Sequence, residues 1–401
     1  MSPSRSRDAA LRSLDPVSLQ SQGPIALLRD GDEFIVARNC EEIVQVDGPA
    51  GFSALRSIQQ RGGFWAGAIA YDFARSIEHI PSIAHDDRQF SDLVFGRFAT
   101  VERFSVGQLI DAISSGIWAN LRPSANLGAL RSSLDRTEYA ERIRDIHDHL
   151  VVGDCYQINL TRRLNTPVRA DPLHLFAKLA AIQPAPHCAL VKLEDVDLVS
   201  ASPELLVRLD GRSIQTRPIK GTAVRHADLR GSQKDHAEHV MIVDLARNDL
   251  GRVCEYGSVT VPSLQTIERH PGLVHLVSTV TGSARPSTTI ADIIRATFPA
   301  ASITGAPKPK VMQLIETLEP VRRGFYCGSI GWIDCDREVM DLSVAIRTFT
   351  MSRHGTDFAV GGGIVWDSNA PSEWDETVLK ASHILRSVDA YEREPQFAET
   401  R

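Results

Sequence analysis

Short turns that join strand-like runs are the feature of this sequence that most constrains its fold. Gly31 and Asp32 separate two apolar runs, and Asp210-Gly211 and His354-Gly355 separate others further along the chain. A turn this short pairs neighbouring strands antiparallel, because a parallel crossover needs a dozen or more residues. We therefore predict an α+β fold of layered antiparallel β-sheets flanked by helices, and not a doubly wound parallel sheet.

Local patterns indicate where the main elements lie. Residues 137–154 open on Thr137 and place apolar side chains on one helical face before Gly153. Residues 62–73 are rich in small and apolar residues, which is typical of a buried strand. Further strands are predicted at residues 188–193, 204–209, 328–334, 339–350 and 357–365.

Shifts in composition divide the chain. Residues 1–24 are polar and predict a loosely ordered start, and order is expected from residue 25. An N-terminal region spans 25–120, and a stretch rich in Pro, Ser and Asn at 121–134 is interpreted as a linker. The main region spans 135–388, and a tail follows at 389–401.

Composition excludes several classes of protein. The 401 residues carry a formal net charge of -6, whereas a partner of nucleic acid or anionic membrane usually has a basic excess. The six cysteines form no CxxC pair, so neither a zinc ribbon nor a disulfide framework is predicted, and a reduced cytoplasm fits best. No run approaches the roughly 20 apolar residues of a spanning helix, and no signal peptide is evident.

Common catalytic signatures are absent from the sequence. Gly361–Gly363 are followed by Ile, Val and Trp366, so the pattern lacks the third glycine of a dinucleotide fingerprint and the Lys-Ser/Thr pair of a P-loop. There is no HExxH and no GxSxG. The prior for nicotinamide, ATP and serine-hydrolase chemistry is therefore low.

Charge on an apolar helix face is more informative. A predicted helix begins near Ser232, and Met241, Ile242 and Leu245 form its inward stripe. Glu238 points the same way, and a carboxylate that faces the interior is costly unless it is paired.

Two alternatives remain open for the charged residues of this helix. Glu238 is equally compatible with an ordinary salt-bridged or snorkelling side chain. His236 and His239 could share a zinc ion at i and i+3, although no third ligand is evident in the sequence.

A second helix repeats the pattern near the end of the chain. Ser372 is a candidate cap, and Glu373, Glu376 and Lys380 fall on one face. Two neighbouring carboxylates repel each other unless a cation lies beside them, and with Glu238 they make a plausible oxygen site for Mg²⁺. An exposed acidic first turn that complements the helix dipole is the alternative.

Four further features complete a candidate site for a small dianion. Lys220 precedes Gly221 at a strand end, and as a buried amine it would be a nucleophile, although a lysine there is usually solvated. Glu204 is a possible general acid if an apolar wall keeps its carboxyl protonated. Arg347, predicted within a strand, is a natural partner for a carboxylate, and the amides of Gly361–Gly363 can meet an anion.

The sequence resembles the chorismate-utilising family, whose members form anthranilate, aminodeoxychorismate, isochorismate or salicylate. The resemblance covers residues 134–388, the chorismate-binding catalytic region, and residues 25–120 resemble a shortened N-terminal region of the family. The matching strings are GDCYQINL, SPELL, RPIKGT, KDHAEHVMIVDLARNDLGRV, HLVSTVTG, SITGAPK, RRGFYCGSIGW, LSVAIRT, GGGIVWDS and EWDETVLKA.

Two positions discriminate between members of this family. Members that aminate C4 of chorismate carry lysine at the position of Lys220, whereas those that form anthranilate carry alanine. Isochorismate and salicylate synthases carry a water-activating lysine where this chain has Gln157. The resemblance therefore implies the branch that forms aminodeoxychorismate, on the route to para-aminobenzoate and folate. Formation of anthranilate, or a catalytically silent chorismate-binding subunit, is the alternative.

The resemblance also implies roles for individual residues. Lys220 attacks C2 of chorismate, Glu204 protonates the departing C4 hydroxyl, and His275 lies beside the ring. Mg²⁺ is held by Glu238 and Glu376, with Glu373 nearby. The substrate-binding positions are Arg347, Tyr326, Thr304, Gly221, Thr222, Gly361, Gly362, Gly363, Lys380 and Gln157.

The same resemblance implies the partners. Chorismate and ammonia are the expected substrates, and a separate glutamine amidotransferase subunit is expected to supply the ammonia. No partner of nucleic acid or membrane type is expected, and the expected location is the cytoplasm.

Overall fold

The computed structural model describes residues 14–16, 19, 23–114, 118, 126–182, 185–224, 233–270 and 273–393. The described strands are β1 (Ile25–Asp30), β2 (Glu33–Val46), β3 (Phe64–Ile69), β4 (Leu93–Ser105), β5 (Gly128–Ser132), β6 (Gln157–Thr166), β7 (His187–Lys192), β8 (Asp197–Ser202), β9 (Leu205–Asp210), β10 (Ser213–Arg217), β11 (Ile219–Val224), β12 (Thr260–His270), β13 (Leu273–Ser283), β14 (Gly305–Ala306), β15 (Ser329–Asp334), β16 (Val339–Val344), β17 (Thr348–Ser352), β18 (Gly355–Ile364) and β19 (Ala390–Glu392). The described helices are α1 (Ala50–Arg61), α2 (Val106–Ser114), α3 (Arg136–Val151), α4 (Pro172–Ile182), α5 (Gln233–Gly251), α6 (Ile290–Thr297), α7 (Lys308–Leu318) and α8 (Ala370–Ser387).

Strand pairing confirms the predicted α+β class. One continuous ladder runs from β12 through β13, β10, β9, β16, β15, β3, β4, β2, β1, β7, β8, β17, β18 and β6 to β5. Every pair in this path is antiparallel, and β19 adds to β5 in parallel. The four N-terminal strands lie inside the path, between β15 and β7.

The predicted short turns are confirmed as hairpins. Asp30 pairs with Glu33 across the β1–β2 turn, and Gly31 there has a φ of 62°. Asp210 pairs with Ser213 across the β9–β10 turn. A left-handed backbone conformation of this kind favours glycine, which is why these turns were visible in the sequence.

Two helix starts differ from prediction because a better capping residue lies just upstream. Asp135 caps α3, since its side chain accepts from the Glu138 amide while the Glu138 carboxylate accepts from the Asp135 amide. Asn369, and not Ser372, caps α8. The predicted start of α5 at Ser232 lies outside the described residues.

The buried stripe of α5 also differs from prediction. His239, Ile242, Val243 and Leu250 are buried, whereas Met241 is only partly so. The helix packs against β13, β11 and α6, so its buried face is wider and rotated relative to the predicted stripe.

Part of the predicted linker and part of the predicted tail are ordered together. β5 lies within 121–134 and pairs with β19, which lies within 389–401. Residues 121–125 and 394–401 lie outside the described residues, as does most of the predicted loose start.

A compact apolar cluster supports the sheet below α8. Tyr139 of α3 packs edge-on against Trp374 of α8, with ring centroids 5.5 Å apart. Ile158 of β6 and Ile364 of β18 belong to the same cluster and are fully buried. Burial of this surface fixes α8 against the two strands that contribute most to the candidate site.

All six cysteines are free, as predicted. Among the described helices, none combines the length and the apolar character that a membrane crossing requires.

Candidate active site

Lys220 on β11 is the centre of the candidate site. Burial lowers the pKa of its ammonium, and the charge of Lys380 lowers it further, while the carboxylates of Glu238, Glu204 and Glu376 oppose this shift. Two helices, α5 and α8, and the turn between β8 and β9 therefore bring charged groups to one amine. Desolvation favours the neutral form of an amine, which is the form that acts as a nucleophile.

Glu204 is held between β8 and β9 and is 3% exposed. Ser302 Oγ donates to Glu204 Oε1 at 2.5 Å, and the Ile219 amide lies 3.5 Å from the same oxygen. Burial raises the pKa of Glu204 to about 7, although the Ser302 hydrogen bond and the charge of Lys220 lower it. The carboxyl is therefore suited to hold a proton near neutrality, as a general acid must.

Gly363 lies between two predicted site residues. A Cβ at this position would lie 2.7 Å from Gln157 Nε2 and 3.3 Å from Lys220 Nζ. Gln157 is fully buried, and neither polar atom of its amide has a hydrogen-bond partner among the described residues. The unpaired amide of Gln157 is therefore placed to bind a ligand beside the Lys220 amine.

The remaining glycines meet the acidic helix. A Cβ at Gly362 would lie 3.4 Å from Glu373 Oε2, and Lys380 Nζ donates to the Gly361 carbonyl at 3.1 Å. Lys380 Nζ also lies 2.6 Å from Glu376 Oε1. The predicted face of α8 is therefore turned toward the glycine strand β18, and Glu373 is buried whereas Glu376 is exposed.

The donor set fits magnesium better than zinc. Within the described residues, no group of three or more His, Cys, Asp or Glu side chains could hold a metal ion. Structural zinc needs such a set, whereas Mg²⁺ needs only one or two carboxylates and completes its shell with water and substrate oxygens. The zinc alternative is further weakened because His236 Nδ1 is bonded to Gln265 and His239 Nε2 to Ser278.

Arg347 was predicted within a strand, and this prediction is wrong. Arg347 lies between β16 and β17 with a φ of 51°. The strand ends after Val344, where the Ile346 amide donates to the Val344 carbonyl and the Arg347 carbonyl accepts from the Ala201 amide. Burial lowers the pKa of Arg347 to about 10, which leaves a charged guanidinium near Glu204.

Tyr326 and Thr304 are fixed on loops around the same region. Burial raises the pKa of the Tyr326 phenol, so the hydroxyl stays protonated and can donate. Thr304 is fully buried, its Oγ1 donates to the Ala300 carbonyl, and its own carbonyl accepts from Asn159 of β6.

Three predicted residues are placed by the backbone. His275 is buried in β13, and its register partner in β11 is Thr222. Gly221 and Thr222 directly follow Lys220 in β11, and the side chain of Thr222 lies outside what the structure describes.

Two polar residues of the site were not predicted. Ser302 holds Glu204, and Ser368 Oγ donates to Glu373 Oε1 at 2.6 Å. Ser302 lies two residues before Thr304 in the string SITGAPK, but nothing in the spacing points it toward Glu204. Such contacts depend on the approach of distant segments and have no local signal.

Comparison with known proteins identifies a family for this chain. Residues 17–386 match a family described as chorismate binding enzyme. Aminodeoxychorismate synthase component 1 of Klebsiella aerogenes is 40% identical over 348 residues, which are 81% of this chain and 77% of that protein. Anthranilate synthase component 1 of Thermus thermophilus is 35% identical over 358 residues, with the same coverage of 81% and 77%.

A solved structure shares the fold. Anthranilate synthase component I of Streptococcus pneumoniae superposes with a TM-score of 0.76 at 26% identity, over 88% of this chain and 92% of that one.

Proposed function

This chain belongs to the family of chorismate-binding enzymes, and from that premise we propose that it forms 4-amino-4-deoxychorismate from chorismate and ammonia. This is the activity of aminodeoxychorismate synthase component I, in the cytoplasmic synthesis of para-aminobenzoate for folate. The observation that carries the proposal is Lys220, an amine of lowered pKa that lies beside the bare backbone of Gly363.

The proposed first step uses Lys220 and Glu204 together. The neutral amine attacks C2 of chorismate, the ring double bonds shift, and the C4 hydroxyl departs with the proton of Glu204 as water. A C–N bond forms at C2 and a C–O bond breaks at C4. The opposite pKa shifts of the two side chains favour the protonation states that this step needs.

In the second step, ammonia bonds to C4 and the bond between Lys220 and C2 is broken. Ammonia attacks C4, the double bonds shift back, and the Lys220 amine leaves C2. The proton lost by the new ammonium group returns to the Glu204 carboxylate, so the enzyme is restored. Because Lys220 occupies C2, the nitrogen is directed to C4.

The proposed substrate is a dianion, and the site offers matching positive charges and donors. Arg347, Tyr326, Thr304 and the amides of Gly361–Gly363 are proposed to bind its carboxylates. Glu238 and Glu376 would hold Mg²⁺, with Glu373 nearby, and the ion would neutralise a substrate carboxylate. Gln157 is proposed to face the substrate where water-using members of the family carry lysine.

Formation of anthranilate is the second candidate, because relatives of that name match this chain at similar identity. Anthranilate synthase component 1 of Thermus thermophilus is one of them. Lys220 argues against this candidate, since the resemblance gives alanine at that position in such enzymes.

A separate amidotransferase subunit is proposed as the source of ammonia. The relatives are named component 1, which implies a second component. We expect the purified chain to use ammonium salts and not glutamine. Turnover with glutamine in the absence of any other protein would contradict this part of the proposal.

The deciding experiment is identification of the product. The purified chain is incubated with chorismate, Mg²⁺ and ammonium, and the position of the new amino group is determined by NMR. We expect the 4-amino product. An ortho-amino product would establish the anthranilate alternative, and unchanged chorismate would favour a silent subunit.

A further inference from the structure

A fully buried arginine lies behind the acidic helix. The Arg162 side chain on β6 is 0% exposed and forms a bidentate pair with Glu392 of β19, with N···O distances of 2.5 and 2.9 Å. Its Nε donates to Thr377 Oγ1 of α8 at 2.9 Å, and a terminal nitrogen donates to Ser132 Oγ of β5 at 3.1 Å. Its guanidinium carbon lies 4.3 Å from the ring centre of Trp374.

Each of the two α8 residues that Arg162 contacts directly follows an acidic residue of the turn Glu373–Glu376. Trp374 follows Glu373 in the sequence, and Thr377 follows Glu376. Any shift of the guanidinium therefore acts on the turn that carries both carboxylates. On its other side, Arg162 belongs to the strand that pairs with β18, where Gly361–Gly363 lie.

Glu392 is the carboxylate partner that makes this burial possible. A buried guanidinium without its counter-charge is strongly unfavourable, and the planar fork fixes its orientation only while both oxygens accept. Glu392 itself is 15% exposed and lies in the short parallel strand β19, near the end of the described chain.

We propose that Arg162 and Glu392 are positioning residues, which together hold the acidic turn of α8 against β18 and so place its carboxylates for binding of Mg²⁺. The C-terminal strand β19 is then a working part of the site and not a tail. This inference rests on the proposed role of Glu376 as a magnesium ligand, with Glu373 nearby. Outer contacts of this kind typically change metal affinity by about 10- to 100-fold.

The first test needs no metal. Hydrogen exchange is measured by mass spectrometry on metal-free protein, for the peptide that covers the acidic turn of α8. Glu392→Ala is compared with Asp389→Asn, which removes the neighbouring ion pair of the same terminal segment with Lys178 of α4. We expect faster exchange in the turn for Glu392→Ala alone. Equal exchange in both variants would overturn the proposal.

The second test measures Mn²⁺ binding by electron paramagnetic resonance, with Mn²⁺ as the probe for the magnesium site. We expect the affinity to fall at least about tenfold in Glu392→Ala and less in Glu392→Gln, which keeps one accepting oxygen. Asp389→Asn should bind as the wild type does. Wild-type affinity in Glu392→Ala would overturn the positioning role.

The two tests separate this proposal from the proposed function. If the wild type itself binds no Mn²⁺, the ligand assignment of the proposed function fails. The positioning role of Arg162 and Glu392 is then tested by hydrogen exchange alone. Fast exchange in Glu392→Ala supports this role as a constraint on α8, and unchanged exchange overturns it.

Discussion

Burial shifts the pKa values of the two reactive side chains of the site in opposite directions. It disfavours the ammonium of Lys220 and the carboxylate of Glu204, because both are charged forms. Burial therefore shifts both groups toward their neutral forms. Neither group would be in the form the reaction needs if it were solvated near pH 7.

The first residue-scale prediction concerns pH. Glu204 is the acid only while protonated, so kcat/KM should fall above about pH 7 as it ionises. Ser302 lowers this pKa through its hydrogen bond, so Ser302→Ala should raise the pKa and move the falling limb upward by about one pH unit. The measurement is the pH dependence of kcat/KM.

Ser329→Ala is the matched control for this experiment. Ser329 is a fully buried serine whose hydroxyl donates to the Ser343 carbonyl and does not contact Glu204. The Ser329→Ala variant should show the same fall of kcat/KM with pH as the wild type. An identical shift in both variants would show that the effect is structural.

The second residue-scale prediction concerns the nucleophile. Lys220→Ala should lower formation of the 4-amino product by at least about 10³-fold, because the variant lacks the amine that is proposed to bond to C2. Mass spectrometry of the quenched wild type should find a chorismate-derived adduct on Lys220. Lys310→Ala is the control, since Lys310 is 41% exposed and pairs with Asp154. Wild-type rate and product in Lys220→Ala would refute the covalent step.

At the scale of elements, α5 and α8 each bring acidic side chains to the same amine. Removal of divalent ions with EDTA should abolish activity, and Mg²⁺ should restore it. Glu238→Gln should raise the Mg²⁺ concentration that gives half-maximal activity by at least about tenfold. The protein should stay folded, because the Glu238 side chain is only partly buried. The measurement is activity against Mg²⁺ concentration, with circular dichroism as the check on folding.

Glu255→Gln is a suitable control for the metal experiment. Glu255 lies just beyond α5, is 47% exposed and pairs with Arg212. Its loss should leave the Mg²⁺ dependence unchanged. Full activity of the wild type after complete removal of divalent ions would contradict the proposed metal site.

Elements set by local chemistry could be predicted, and elements set by distant contacts could not. The turn at Gly31 and the helix beginning at Asp135 are determined within a few residues, so their patterns were informative to within two residues. The run 339–350 contains neither Gly nor Pro, and so predicted one strand. The strand breaks at Arg347, whose φ of 51° has no signal in the run, and the Arg347 carbonyl accepts from the Ala201 amide, which is distant in sequence.

At the scale of the whole molecule, the order of the strands had no signal in the sequence. β3 pairs with β15 and β1 pairs with β7, although these partners are separated by well over 100 residues. Residues of both regions also share one apolar cluster, which includes Ala66, Trp332 and Val191. Periodicity reports which face of a strand is buried, but not which strand lies beside it.

This order predicts that residues 126–393 do not fold alone. Without β1 to β4, both β15 and β7 would present unpaired edges, and Trp332 would lose its stacking with Phe64, whose ring centroid lies 5.7 Å away. Exposed edges of this kind pair with other chains, so the fragment should aggregate when expressed alone. Co-expression with residues 1–125 should restore a soluble complex, because this fragment keeps the buried Trp118 and both strand pairs are rebuilt. Size-exclusion chromatography and circular dichroism provide the measurement. A monomeric, folded 126–393 fragment would show that the N-terminal strands are an appendage, whereas the ladder makes them the centre of the sheet.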